Sequence, residues 1–211
     1  MTDTGLISRD GSFVLKSVFS AIDTSQTEYK FIRDLKRLGL YEDPVYFNIS
    51  SELKPTVVNQ NLEMVEDDVK GVLMPMKFQL RRYLESENLL DIIIDSLEPS
   101  HDKIVRSLMD GTIWKDKLRG HESKLNVPIN IFFDDFTTSD TVSPHARSTK
   151  VCGIYYYIPC LPPFVLSRLV NILTAGYIMS EDRKHFGNEQ TLYQLVETLS
   201  DLENIGISVK Y

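Results

Sequence analysis

One stretch constrains the fold of this chain more than any other, the apolar run over residues 127–136, which carries two adjacent carboxylates. A short run of Ile and Phe opened by Pro128 predicts a buried β-strand, with Asp134 and Asp135 near its C-terminal end. Side chains alternate faces along a strand, so the two carboxylates point to opposite sides of the sheet. A lone buried carboxylate is costly and is usually paired, hydrogen-bonded or bound to a metal. The Asp pair is therefore the first candidate for a functional site.

The pattern after this strand predicts a chain with both helices and strands, of the α/β (α+β) class. Residues 150–158 are rich in β-forming side chains and predict a second strand, which a wide polar loop connects to the first as an antiparallel pair. Helical periodicity follows over 165–178 and again over 189–205, where Gly206 marks the helix end. The β-forming run at 207–211 predicts the opening of another strand, and we expect the chain to be a fragment.

The first half of the chain predicts helices separated by irregular segments. Ser25 and Glu28 match a capping box ahead of a helix that ends at Gly39, and a shorter helix is expected over 12–22. Residues 40–75 are interpreted as mostly irregular, and residues 76–109 as consecutive helices broken near 86–88. The sequence thus predicts an N-terminal helical and irregular region (1–75), a helical unit (76–125) and a core (126–211).

Composition and charge limit the function classes. The chain is 42% hydrophobic and 25% charged, as in ordinary globular proteins, and it lacks the ~18 consecutive apolar residues of a membrane span. The first ten residues do not form a secretory signal, and two cysteines, Cys152 and Cys160, favour a reducing compartment. We expect an intracellular protein, nuclear or cytoplasmic, with no membrane partner. The net charge of −7 does not favour nucleic-acid binding.

Several short strings stand out in the order Asp110-Gly-Thr-Ile-Trp114, the strand carrying the Asp pair, Ser143-Pro-His145, Lys150-Val-Cys-Gly-Ile-Tyr-Tyr156, Cys160-Leu-Pro-Pro163 and Ser180-Glu-Asp-Arg-Lys-His-Phe-Gly187. Together they resemble the core of transposase-derived proteins of animal transposable elements. The resemblance implies a ribonuclease-H-like core of the DDE transposase type, with DNA as substrate and Mg²⁺ or Mn²⁺ bound by the first catalytic Asp. That residue would be Asp135, or else its neighbour Asp134.

The remaining candidate residues leave the predicted site incomplete. His145, Arg147 and Lys150 are candidates for phosphate contact, although a polar surface turn is the favoured explanation of the loop. Further acidic ligands are not visible, because Asp182 and the glutamates after it lie in charged or helical segments. We therefore expect a catalytically incomplete protein that does not act as an enzyme in this form. The alternative is a non-catalytic α/β interaction module with a structural Asp pair and a docking surface on the helices of 76–109.

Two further patterns indicate core positions. Cys152 and Cys160 lack zinc-ligand spacing and are expected to be small packing residues. The three consecutive tyrosines at 155–157 fit a strand whose rings alternate between the core and the rim, rather than a platform for stacking bases.

Overall fold

A computed structural model describes residues 27–58, 61–86, 88–98, 105, 107–118, 124–138 and 150–210. The chain divides into two compact units, residues 1–43 and 44–211, each described here by itself. The division falls between residues 43 and 44. The boundaries after residues 75 and 125 stay a prediction from the sequence. Within the described residues, no helix is long and apolar enough to cross a membrane.

The described part of the first unit contains one helix, α1 (Glu28–Arg37). Its N-cap is Thr27, whose hydroxyl accepts a hydrogen bond from the Lys30 amide at 3.4 Å. Gly39 follows the helix in the left-handed region at φ +67°, as predicted, because a residue without Cβ adopts this conformation without strain. The predicted cap at Ser25 and the predicted helix over 12–22 lie outside the described residues.

The second unit is built on a five-stranded antiparallel sheet in the order β1-β2-β5-β4-β3. Its strands are β1 (Val45–Val58), β2 (Asn61–Leu73), β3 (Asn130–Thr137), β4 (Lys150–Tyr157) and β5 (Leu173–Met179). The predicted antiparallel pairing of β3 with β4 across a wide loop is confirmed. The prediction that β3 is a buried strand is wrong, because β3 lies at an edge of the described sheet and most of its side chains are exposed.

Helices and strands together confirm the α+β class. The helices of this unit are α2 (Met76–Leu84), α3 (Leu89–Leu97), α4 (Thr112–Leu118), α5 (Pro163–Leu166) and α6 (Ser180–Asn204), with 3₁₀ turns at Leu108–Asp110 and Leu169–Asn171. The predicted break near 86–88 separates α2 from α3. Gly187 has non-helical torsions, φ 79° and ψ 169°, so α6 consists of two helical segments joined at a kink, and the predicted break at 186–188 is confirmed.

Three further sequence interpretations are wrong. Residues 40–75 are not mostly irregular, because 45–58 and 61–73 pair along nearly their whole length as β1 and β2. Residues 165–178 do not form a helix: α5 and a 3₁₀ turn lead into β5, whose backbone groups pair with β4 on one side and β2 on the other. Pairing with distant strands overrides a helical period in this short apolar run. Residues 207–210 are not in a strand.

The core lies between the helices and one face of the sheet. That face carries side chains such as Phe47, Cys152, Ile154 and Ile178, which pack with residues of α2 and α6. A second cluster joins α3, the turn at Met109 and the segment after β4. Tyr156 is fully buried, whereas Tyr155 and Tyr157 are half-buried on the opposite face, as the alternation predicted. Both cysteines are buried as expected.

The β1–β2 hairpin extends well beyond the rest of the sheet. Only two residue pairs, Val72 with Tyr177 and Leu73 with Gly176, join β2 to β5. Residues 51–58 and 61–68, here called the ribbon, pair only with each other and run for roughly 25 Å. Nearly all of their side chains are exposed.

Candidate functional site

Asp135 lies on the helix-covered face of the sheet, near the C-terminal end of β3. It pairs across the strands with Cys152, so both side chains point toward α6. Ser180, the first residue of α6, is buried, and its hydroxyl donates a hydrogen bond to Asp135 Oδ1 at 3.0 Å. Among the described residues, no lysine or arginine forms an ion pair with this carboxylate.

Arg183 closes this site one turn into α6. Its Nη1 donates to Cys152 Sγ at 3.3 Å, and its Nε donates to Asn188 Oδ1 at 2.8 Å. The guanidinium also stacks over the Phe133 ring, 4.7 Å from the ring centroid. These three contacts fix the arginine beside Asp135 without joining it to the carboxylate.

The Cys152 thiol in this site is held protonated. Burial raises its pKa, and the neighbouring Asp135 carboxylate acts in the same direction, while Arg183 opposes both. A thiol with a raised pKa is a poor nucleophile at neutral pH. Cys152 therefore serves packing, as the sequence predicted, and also accepts a hydrogen bond from Arg183.

Asp134 lies on the opposite face, where it is surrounded by aromatic rings. It stands across from Gly153, and the ring of Tyr155 lies next to that glycine. Burial raises the pKa of Tyr155, and the nearby Tyr177 and Asp134 raise it further. In the part of the chain that the structure describes, Asp134 has no hydrogen bond or ion pair.

The described residues do not complete the divalent-metal site that the resemblance implies. They contain no group of three His, Cys, Asp or Glu side chains placed to hold an ion. Asp182, two residues after Ser180, instead lies near Lys54 and Glu52 at the base of the ribbon. Burial raises the pKa of Asp182, and the carboxylates of Glu181 and Glu52 act in the same direction. The Lys54 ammonium lowers this pKa. The structure therefore brings Asp135 together with a hydroxyl and a thiol, and not with a second carboxylate.

The predicted nucleic-acid contacts are only partly described. His145 and Arg147 lie outside the described residues. Lys150 opens β4 opposite Thr137 and is exposed, so it is available to solvent at the same end of the sheet as Asp135. Sequence reasoning missed Ser180 and Arg183 as neighbours of Asp135. Their separation of more than forty residues from it leaves no local pattern that would reveal the contact.

A separate cavity of about 590 Å³ lies between α2, the segment before β3 and the chain after α6. Its lining is mostly aliphatic and includes Leu80, Leu84, Ile129 and Leu202. Lys124 is its charged lining residue, and its ammonium lies 3.4 Å from the Asn204 carbonyl oxygen. This cavity offers space for apolar groups but no catalytic chemistry.

The geometry of the Asp135 site and the sequence resemblance are the two grounds for assigning a function. No protein-family model, curated protein or solved structure matches this chain.

Proposed function

We propose that this chain is a transposase-derived protein with a partial ribonuclease-H-like core, in which Asp135 stands in the position of the first metal-binding carboxylate and DNA cleavage is not retained. Three antiparallel strands, β3, β4 and β5, are followed by α6, which packs on one face of the sheet. This order supports the strand–strand–helix core that the resemblance implies, with β5 as an additional strand between β4 and α6. Metal-dependent DNA cleavage and strand transfer would be the parent activity.

The observation that carries the proposal is the position of Asp135. Its carboxylate lies near the end of the first strand of that core and faces the start of α6. A hydroxyl hydrogen bond from Ser180 orients it without neutralising its charge, whereas an arginine ion pair would do both. A carboxylate held in this way suits a hard cation such as Mg²⁺ or Mn²⁺.

The expected loss of activity follows from the neighbours of Asp135. In-line attack on a phosphodiester with two metal ions needs several carboxylates converging on both ions. In the described part of the chain Asp135 has no such carboxylate beside it. The residues therefore do not fit a two-metal centre, and no catalytic step is derived through one.

A cleavage assay tests the proposal. Labelled single- and double-stranded DNA is incubated with Mg²⁺ or Mn²⁺ and with wild-type protein, Asp135→Asn, Asp134→Asn or the double variant. We expect wild-type protein to cleave no faster than the double variant. Asp134 is the neighbour of Asp135 on the opposite face of the sheet. Cleavage that disappears in Asp135→Asn and persists in Asp134→Asn would contradict the proposal that activity is lost.

A binding measurement tests the assignment of Asp135 itself. Titration with Mn²⁺, followed by electron paramagnetic resonance, is expected to show weak binding that Asp135→Asn removes and Asp134→Asn leaves intact. Binding that is unchanged in Asp135→Asn would remove this residue from the role of metal ligand. Asp135 is exposed in β3, so its amide variant is expected to fold normally.

The ribbon favours a second candidate, a non-catalytic protein-interaction module. Leu53, Val57, Leu62 and Met64 share one face of the ribbon and are each more than half exposed. A two-stranded hairpin is marginally stable alone, and exposed apolar side chains of this kind often mark a binding surface. The test replaces residues 53–66 by Asn-Gly and compares the proteins retained by the immobilised wild-type and shortened chains. Identical sets of retained proteins would rule out the ribbon as a binding element.

A further inference from the structure

The cavity between α2, the segment before β3 and the chain after α6 has no part in either proposed function. Its volume of about 590 Å³ lies within the usual range of ligand-binding cavities. The lining residues are aliphatic except for Lys124, Gly206 and Ser208, so the lining contains no aromatic ring and no carboxylate. A lining of this kind favours an aliphatic ligand with few polar groups.

The cavity has a buried floor and an exposed rim. Leu80, Leu84 and Ile158 are buried and form the floor. Leu125 and Ile205 form part of the rim, where they are 51% and 68% exposed. Lys124 is exposed as well, so its ammonium lies at the rim and not over the floor. This gradient suits an amphipathic molecule that buries its apolar part and keeps its polar group in contact with water.

Hydrogen bonds hold one wall of the cavity, residues 205–209, against α2. Arg81 Nε donates to the Ser208 carbonyl oxygen at 3.2 Å. The backbone N–H of Lys210 donates at 3.2 Å to Oε1 of Glu85, the residue that follows α2. Because these contacts fix the wall in place, the cavity is preformed, as ligand-binding cavities usually are.

The charge at the rim is positive. The Lys124 ammonium donates to the Asn204 carbonyl oxygen at 3.4 Å, which leaves two of its three N–H donors for another acceptor. Glu203, in the last turn of α6, pairs with Lys117 at 3.6 Å instead. Among the described residues Lys124 forms no ion pair. An anionic group is therefore the complement of this rim.

We propose that the cavity binds a free aliphatic carboxylate of medium chain length, with its carboxylate beside Lys124 and its hydrocarbon chain over the floor. The opposite orientation would place an ionised carboxylate among leucine and isoleucine side chains without a partner, which is costly. An aliphatic amine of the same length would place its ammonium beside that of Lys124. The proposal depends neither on Asp135 nor on the ribbon, so it goes beyond both proposed functions.

Calorimetric titration of the full chain with octanoate and decanoate tests the ligand class. At about pH 7.5 both acids are ionised. We expect a dissociation constant of about 10–100 µM for decanoate. Each methylene is expected to change the affinity about fourfold, so octanoate should bind about 16-fold more weakly. Octylammonium is expected to bind more weakly than octanoate, because the Lys124 ammonium repels it.

Substitution at Lys124 tests the position of the carboxylate. Lys124→Gln is expected to weaken decanoate binding about 5-fold and to leave the affinity for octan-1-ol unchanged, since the alcohol carries no charge. Lys184→Gln is the matched control, because it removes the same charge from an exposed position at the opposite end of α6. We expect it to leave the affinity for both ligands unchanged.

Two substitutions in the lining test the position of the hydrocarbon chain. Val127→Phe places a ring in the cavity and is expected to weaken both decanoate and octan-1-ol at least about 10-fold. Leu125→Glu adds a carboxylate at the exposed rim, so it is expected to weaken decanoate about 5-fold and to favour octylammonium. Circular dichroism checks that both variants fold. Leu125→Glu decides the matter if Val127→Phe does not fold.

Four results would overturn the proposal. They are no saturable binding of decanoate up to about 2 mM, equal affinity for octanoate and decanoate, octylammonium that binds more tightly than octanoate, and folded lining variants that bind decanoate as wild-type protein does. Decanoate binding that Lys124→Gln and Lys184→Gln weaken equally, or that neither weakens, would overturn the assignment of the carboxylate to Lys124.

Discussion

Cys160 shows most directly how burial sets side-chain chemistry in this chain. The residue is 9% exposed and lies in the cluster that joins α3 to the segment after β4. Burial raises the pKa of its thiol to about 11, from 9.0 for an exposed thiol. The ionised form is therefore disfavoured in the folded state and freely accessible in the unfolded state.

This difference in pKa predicts a stability change at high pH. Because the folded pKa is the higher one, the thiol contributes stability below pH 9 that is lost as the pH rises toward 11. We expect the free energy of unfolding of wild-type protein, relative to Cys160→Ala, to fall by roughly 2 kcal/mol across this range. Urea unfolding at several pH values measures it. If the free energy of unfolding depended on pH in the same way in both proteins, the raised pKa of the Cys160 thiol would be contradicted.

At the scale of elements, the weakest junction of the sheet is the one between β2 and β5. It has two residue pairs, and Gly176 lies in one of them. A Cβ at Gly176 would lie 2.4 Å from the Val72 carbonyl oxygen and 2.8 Å from Leu73 Cδ2. Backbone atoms of β2 occupy that space, so a side chain at this position must push the strands apart.

Gly176→Ala is therefore expected to destabilise the fold by about 1–3 kcal/mol, the usual cost of overpacking. Gly153→Ala, in the neighbouring strand, is the matched control: its new methyl group meets the ring of Tyr155, which is half-buried and has room to turn away. We expect a loss below about 1 kcal/mol there. Thermal unfolding of both variants measures the difference. Equal losses would show that the strand junction tolerates the side chain.

For the second unit as a whole, the helices and the acidic charge are unevenly placed. The described helices pack on one face of the sheet, and Tyr46, Phe132 and Phe136 on the opposite face are exposed. The ribbon carries five carboxylates and one lysine, Lys54, which is already paired with Asp67 at 2.7 Å. This distribution opposes long-range attraction of DNA.

Non-specific DNA binding is accordingly expected to be weak. Fluorescence anisotropy with a labelled duplex at physiological salt should give a dissociation constant above about 100 µM. Lys150→Ala serves as the comparison, because Lys150 is the described member of the predicted phosphate contacts. Tighter, salt-sensitive binding that Lys150→Ala weakens would contradict this expectation and would support a retained DNA surface.

Features that depend on a few neighbouring residues could be predicted from the sequence alone. Gly39 terminates α1 because its φ of +67° suits a residue without Cβ. The break between α2 and α3 is visible as polar residues within an apolar helical pattern. Tyr155 and Tyr156 divide between rim and core because strand side chains alternate, and the same rule separates Asp134 from Asp135.

Features that depend on pairing between distant residues could not be predicted and are known from the fold. The segment at 173–179 became β5 because strands on both sides offer hydrogen-bond partners, which outweighs its short helical period. Residues 45–73 became a long hairpin for the same reason. The contact of Ser180 with Asp135 joins a helix start to a strand end, and burial of the hydroxyl makes the hydrogen bond necessary. The sequence pattern shows which side chains share one face of a strand or helix, whereas the residues that pack against that face depend on the tertiary fold.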